Sequence, residues 1–166
     1  MTKTSAVLGS LAWLVLAPGT LTVLIPWVLT RGRPGPPLFD GEASRWLGAI
    51  LIALALPMLL GAFGRFALVG RGTPVPLLPT ERLVVSGHYR RVRNPMYVAV
   101  TLIVWGEALW LGSPRVMGYG LVVWAVFHAF VLFYEEPRER RRFGAEYERY
   151  RAAVPRWIPL LRPWKG

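Results

Sequence analysis

From Ala6 to Leu29 the sequence runs for 24 residues without a charged side chain, and no other feature restricts the fold as strongly. As a helix rising 1.5 Å per residue, that run is roughly 36 Å long and covers a hydrocarbon core of about 30 Å. A lone Lys3 precedes it, as in a secretory leader, but no clear small-x-small cleavage site follows, so the run is read as a retained span. Pro18 and Pro26 should kink it, which a membrane helix tolerates when neighbouring groups satisfy the freed carbonyls. Three further apolar stretches follow. Trp46 to about Val69 is kinked at Pro57 and carries Arg65 near its end as a snorkelling cation. Met96 to Leu111 and Val116 to Tyr134 form a hairpin across Gly112-Ser113-Pro114-Arg115. The expected fold is an all-α polytopic membrane bundle of four transmembrane helices, or five if the first run is a hairpin broken at Pro18-Gly19. It forms one domain, with the first two spans in 1–75 and the hairpin and tail in 76–166.

Composition agrees, since 54% hydrophobic residues and 8 tryptophans are too apolar for an ordinary soluble domain of this size. The net charge of +11 taken alone admits nucleic acid, anionic lipid or cytoplasmic loops, so its distribution decides. Arg31, Arg33 and Arg45 flank the first loop with Asp40 and Glu42, and Arg115 stands alone in the hairpin turn. Arg71, Arg82, Arg90, Arg91 and Arg93 precede the third span, and nine cations from Arg138 to Lys165 follow the fourth. Four spans put these last two groups on one side, which the positive-inside rule makes cytoplasmic along with the N-terminus. Membrane lipids are then the expected partners, and nucleic acid is not needed. Phe143, Tyr147, Tyr150 and Val154 recur at helical spacing among arginines, the pattern of an interfacial amphipathic helix. Pro155-Arg156-Trp157-Ile158-Pro159 reads as an extended aromatic anchor. Arginine-, alanine-, glycine- and proline-rich usage points to the cytoplasmic membrane of a high-GC bacterium.

Candidate chemistry concentrates at two places. Ser86-Gly87-His88-Tyr89 leads through Arg90, Arg91 and Arg93 to Asn94-Pro95-Met96-Tyr97 at the start of the third span. Pro95 fits the first helical turn and Asn94 its N-cap. A helix N-terminus flanked by three arginines could also hold a carboxylate or phosphate. The second place is Tyr134-Glu135-Glu136-Pro137 at the foot of the fourth span. The hairpin should bring the two places side by side, and a basic site beside an acidic pair suits a zwitterionic ligand. Within the membrane, Glu107 and His128 must face protein or water. Zero cysteines exclude disulfides and thiolate sites within this sequence, two histidines at 88 and 128 lack metal-ligand spacing, and no Gly-x-Gly-x-x-Gly follows a strand.

The ordered set Gly87-x-Tyr89-x-x-Val92-Arg93-Asn94-Pro95-Met96-Tyr97, Glu135-Glu136-Pro137 and Phe143-Gly144-x-x-Tyr147-x-x-Tyr150-x-x-x-Val154-Pro155-x-x-x-Pro159 resembles the C-terminal half of the isoprenylcysteine carboxyl methyltransferase and phospholipid methyltransferase superfamily. The likeness covers roughly 78–160. It implies a membrane methyltransferase that binds S-adenosylmethionine in a pocket open to the cytosol, while a lipophilic acceptor, carboxylate or amine, enters from the bilayer. Carried over by motif, the cofactor contacts fall on Ser86, Gly87, His88, Tyr89, Arg93, Asn94, Tyr97, Ala99, Val100, Thr101, Leu102, Tyr134 and Glu135. His128 and Glu136 are the expected proton acceptors if the nucleophile must be deprotonated. Two positions depart from the pattern. Asn94 replaces the histidine of the Arg-His-Pro motif, and Val131 stands where the eukaryotic prenylcysteine enzymes carry an arginine four residues before the matching glutamate.

Two other functions fit the same residues less fully. The Arg-x-Pro-x-Tyr element also resembles the steroid-reductase type of NADPH-dependent membrane enzyme, and a basic tail suits a non-catalytic lipid-binding scaffold.

Overall fold

The computed structural model describes residues 12–39, 41–68 and 83–166. The first six residues expected of span one, and Asp40, Val69, Arg71 and Arg82, lie outside these ranges. Four apolar helices build the body: α1 (Ala12–Thr30), α2 (Ala43–Leu68), α3 (Pro95–Trp110) and α4 (Pro114–Phe143). A short α5 (Ala145–Ala153) follows, and the described residues contain no strand. Val23, Leu54, Val122 and Phe133 on the outer surface are large, apolar and exposed, which a lipid surround favours and water does not. The expected all-helical membrane bundle is therefore the observed one. At 16 residues, α3 is the short member, about 24 Å long.

Residues 12–30 form one helix through Pro18-Gly19, so the described part of the first run is no broken hairpin. Its prolines are absorbed by widening the helix. The turn Thr20–Leu24 is a π-turn, and Ile25 N–H donates to the Thr20 carbonyl directly before Pro26. The same device recurs in α4, where Val131–Glu135 is a π-turn and Glu136 N–H donates to the Val131 carbonyl directly before Pro137. Proline removes one N–H and crowds the carbonyl four residues back, and one inserted residue relieves both conflicts.

The tightest helix pair is α2 with α3, and glycine permits it. A Cβ on Gly106 would stand 2.8 Å from the Gly48 carbonyl oxygen, and one on Gly48 2.8 Å from the Trp110 nitrogen, so only small residues allow these backbones to approach. Below that contact Ala55, Leu59 and Phe63 of α2 pack with Ala99, Val100 and Ile103 of α3 and Val123 of α4. At one end the first loop rests on the α3–α4 turn, with Gly35 N–H donating to the Leu111 carbonyl at 2.7 Å and the Arg45 guanidinium to the Gly35 carbonyl at 3.1 Å. Ser113 caps α4 there, its Oγ accepting from Val116 N–H at 3.3 Å.

The opposite, basic end is closed by α5 and the tail, and here two expectations change. Tyr147, Tyr150 and Val154 do not lie on headgroups. They are buried against Leu83, Val85, Phe143 and Trp164, and the Tyr150 hydroxyl donates to the Tyr89 carbonyl at 2.7 Å. Residues 155–164 likewise form a strap across the start of α3 rather than a free anchor. Arg93 N–H donates to the Pro155 carbonyl, Leu160 N–H to Arg91 and Trp164 N–H to Arg90. Of the expected anchor residues, Ile158 stays exposed and free to meet lipid.

Candidate active site

The base of α3 and the foot of α4 lie side by side, as a tight hairpin requires. Between them is a polar pocket of about 520 Å³, open mouth included, lined among others by Tyr89, Asn94, Val131, Glu135, Glu139 and Tyr147. Its floor is made locally. Gly87, at φ +61°, enters the short 3-10 turn Gly87–Arg90 in a conformation that L side chains rarely adopt. That turn is pinned on α2, because a Cβ on Gly87 would meet the Arg65 side chain at 3.2 Å and one on Gly61 would meet the His88 ring at 3.1 Å. Burial, then Arg91 and Arg65, lowers the His88 pKa from its ordinary value, which favours a neutral ring. Burial first, then the Glu135 carboxylate, raises Tyr89 well above the usual phenol range, so its hydroxyl stays protonated.

Of the three glutamates that line this pocket, Glu135, Glu136 and Glu139, Glu135 is the one with an unpartnered buried oxygen. Its carboxyl interacts with Tyr97, and its Oε2 is buried with no hydrogen-bond partner in the structure. Ser86 Oγ and Arg93 Nε are buried and unpartnered in the same way. Buried polar atoms are rarely left unsatisfied without reason, and a carboxylate, a hydroxyl and a guanidinium nitrogen together offer partners to a zwitterion.

Tyr97 also faces the second pocket. This one is apolar, about 780 Å³ including its opening, and lies between helices, lined by Trp13, Pro18, Leu21, Phe63, Met96, Tyr97, Val100, Phe127 and Phe130 among others. The Tyr97 ring packs on Phe127 at 4.6 Å between centroids and edge-on to Phe130 at 6.5 Å. Tyr97 thus lines the oily pocket in the bundle, one turn along from Arg93 and Asn94, which line the charged pocket at the basic end.

The expected site residues divide accordingly. Tyr89, Arg93, Asn94 and Glu135 line the polar pocket, Tyr97 and Val100 the apolar one, and Ser86, Gly87 and His88 form the adjoining turn. Asn94 caps nothing with its side chain: the amide nitrogen instead donates to the Arg156 carbonyl at 3.1 Å. Ala99, Thr101 and Leu102 line neither pocket; Ala99 is fully buried and Thr101 Oγ1 donates to the Tyr97 carbonyl at 2.8 Å. Tyr134 turns away from Glu135, stacking on Phe130 at 5.0 Å and lying under the Arg138 guanidinium at 5.7 Å. The three arginines before α3 do not converge as an anion site, because Arg90 and Arg91 bond tail carbonyls and Arg93 pairs with Glu136.

Of the two expected bases, Glu136 lines the polar pocket but is held by arginines, and His128 lines neither pocket and sits under the strap. Glu136 is clasped by Arg93 at 2.9 Å and by Arg156 at 2.6 and 3.0 Å. His128 stacks on Trp124, and its Nδ1 accepts from Trp157 Nε1 at 3.0 Å. The π-turn explains this. In a regular helix His128 and Glu135, seven apart, would share a face; the inserted residue rotates the register by roughly 100°. His128 then falls in line with Glu136, beneath consecutive strap residues Trp157 and Arg156, while Phe127, Val131 and Glu135 face the pockets.

A family model described as phospholipid methyltransferase matches residues 43–146. An 80-residue stretch is 36% identical to protein-S-isoprenylcysteine O-methyltransferase of Schizosaccharomyces pombe, covering 48% of this chain and 34% of that protein. Over 63 residues the chain is 33% identical to an uncharacterized protein of Haemophilus influenzae, covering 38% of this chain and all of that one. The chain thus spans about a third of the length of the yeast enzyme.

Proposed function

Because the chain belongs to the phospholipid methyltransferase family, we propose that it is an integral membrane methyltransferase that uses S-adenosylmethionine and methylates a lipophilic acceptor at the cytoplasmic face. The observation that carries this reading is the pair of pockets at neighbouring levels of the bundle, a charged one lined by Asn94 and Glu135 and an apolar one lined by Tyr97 and Val100. The unpartnered Oε2 of Glu135 fits an ammonium or hydroxyl group of such a donor, and Asn94 and Tyr89 line the same pocket. When bound, S-adenosylmethionine supplies an electrophilic methyl group on a sulfonium.

The protein's own part is to position and to exclude water. An in-line displacement gains chiefly from holding both reactants in a dry cavity. Glu135 balances positive charge at the polar pocket, and the Tyr97 ring, packed on Phe127, lines the apolar pocket as an aromatic partner for a cation. The apolar pocket takes the acceptor's hydrocarbon part and directs its polar end toward Tyr97. Glu136 is committed to two arginines, and His128 lies beneath Trp157. The arrangement therefore favours an acceptor that attacks through a lone pair already available, a carboxylate or a neutral amine. The name of the yeast relative, an O-methyltransferase, supports the carboxylate.

The test is methyl transfer from radiolabelled S-adenosylmethionine into membrane lipid extract by the purified protein in nanodiscs. Label should enter an organic-soluble product, at least tenfold less with Glu135→Gln. Absence of transfer together with saturable NADPH binding would overturn the proposal in favour of a reductase.

A further inference from the structure

Away from both pockets, one face of α4 carries an aromatic and basic groove at the level where this helix leaves the hydrocarbon. Phe133, Tyr134, Pro137, Arg138, Arg141 and Arg142 line it, around a space of about 820 Å³ that is largely open. Phe133 is 80% exposed, which water would penalise and lipid would not. The axial position follows from helix geometry. Counting from Pro114, Phe133 lies about 29 Å along α4, so it reaches the edge of a core about 30 Å thick; Arg138 is about 7 Å further and Arg141 about 12 Å. The guanidinium groups thus begin where lipid phosphates lie, directly above an exposed ring at the level of the upper acyl chain.

We infer that this groove is a binding site for an anionic phospholipid of the surrounding bilayer, with its phosphate held by Arg138, Arg141 and Arg142 and an acyl chain laid along Phe133. The inference does not depend on the methyltransferase reading. Arg138 is held in place by Tyr134, whose hydroxyl accepts from it at 3.3 Å and whose ring lies 5.7 Å beneath it. Arg142 is steadied over the Phe143 ring at 5.4 Å. Glu139, within electrostatic reach of Arg138 and Arg142, offsets one charge of the three and lines the polar pocket instead of the groove. Glu135 likewise reaches Arg138 from the polar pocket, and with three arginines against these two carboxylates the groove stays net positive. Arginine pairs with phosphate through two parallel N–H donors, and a zwitterionic headgroup would bring its own cation into this positive field. An anionic lipid is therefore the occupant whose charge matches.

The experiment is native mass spectrometry of the whole protein released from nanodiscs holding equal phosphatidylglycerol and phosphatidylcholine. The wild type should retain phosphatidylglycerol in preference to phosphatidylcholine. A basic residue near an anionic surface contributes about a fivefold preference, so the double variant Arg141→Gln, Arg142→Gln should reduce retention roughly 30-fold. The charge-matched double variant Arg149→Gln, Arg162→Gln removes two exposed cations outside the groove and should leave retention within about twofold. Equal loss in both doubles would mean diffuse attraction to basic charge and would overturn the site. So would equal retention of the two lipids by the wild type. Matching melting temperatures of the two doubles in detergent guard against a folding effect.

Discussion

Glu135 and Glu136 are sequence neighbours that line the same pocket, but only Glu136 is paired with arginines. Glu136 is buried and satisfied by Arg93 and Arg156. Removing the charge of Glu136 leaves two guanidinium groups against an amide, and breaking a buried pair in this way costs about 3 kcal/mol. Glu136→Gln should therefore lower stability by that order in denaturant unfolding in detergent. Tyr150→Phe removes a buried donor from the Tyr89 carbonyl and should cost about 1 kcal/mol by the same measurement. The acidic pair was legible in the sequence, but the division of labour within it was not. It depends on Arg156, twenty residues downstream, and on Asn94, whose amide meets the Arg156 carbonyl 62 residues away. Local pattern makes Asn94 a helix cap, because nothing near it in sequence shows a strap crossing the helix start.

At the level of elements, the bundle's spans and hairpin follow from run length and the Gly-Ser-Pro turn; α2 and α3 lie within a few residues of the expected limits, while α4 runs nine residues past Tyr134 to Phe143. The prolines were legible as disturbances, but not as π-turns, since one inserted residue leaves no mark in composition. That residue explains why His128 leaves the pocket face. The aromatic face of α5 is a second case. Periodicity identified a face to be covered, and Tyr147, Tyr150 and Val154 found protein rather than lipid. The α2–α3 contact rests on Gly48 and Gly106, where a side chain would meet the opposing backbone. Gly106→Leu should cost between about 1 and 3 kcal/mol, or prevent accumulation of folded protein, as read by thermal unfolding of the purified protein.

For the whole molecule, α1 through α4 alternate in direction, so the first loop and hairpin turn share one end, and the polar pocket, α5 and the strap share the other. We propose, from the positive-inside rule, that the second end faces the cytosol. The sequence has no cysteine, so single replacements report sidedness directly. Glu146→Cys should react with an impermeant maleimide from the cytosolic side only, and Arg115→Cys from the opposite side only. The central claim is that the polar pocket between α3 and α4 holds a charged nucleoside donor through Glu135. Equilibrium binding of radiolabelled S-adenosylmethionine to the protein in nanodiscs tests it most directly. The account predicts saturable binding that falls at least tenfold in Glu135→Gln and is unchanged in Arg141→Gln, Arg142→Gln. Absence of saturable binding by the folded wild type, or equal affinity in Glu135→Gln, would contradict it.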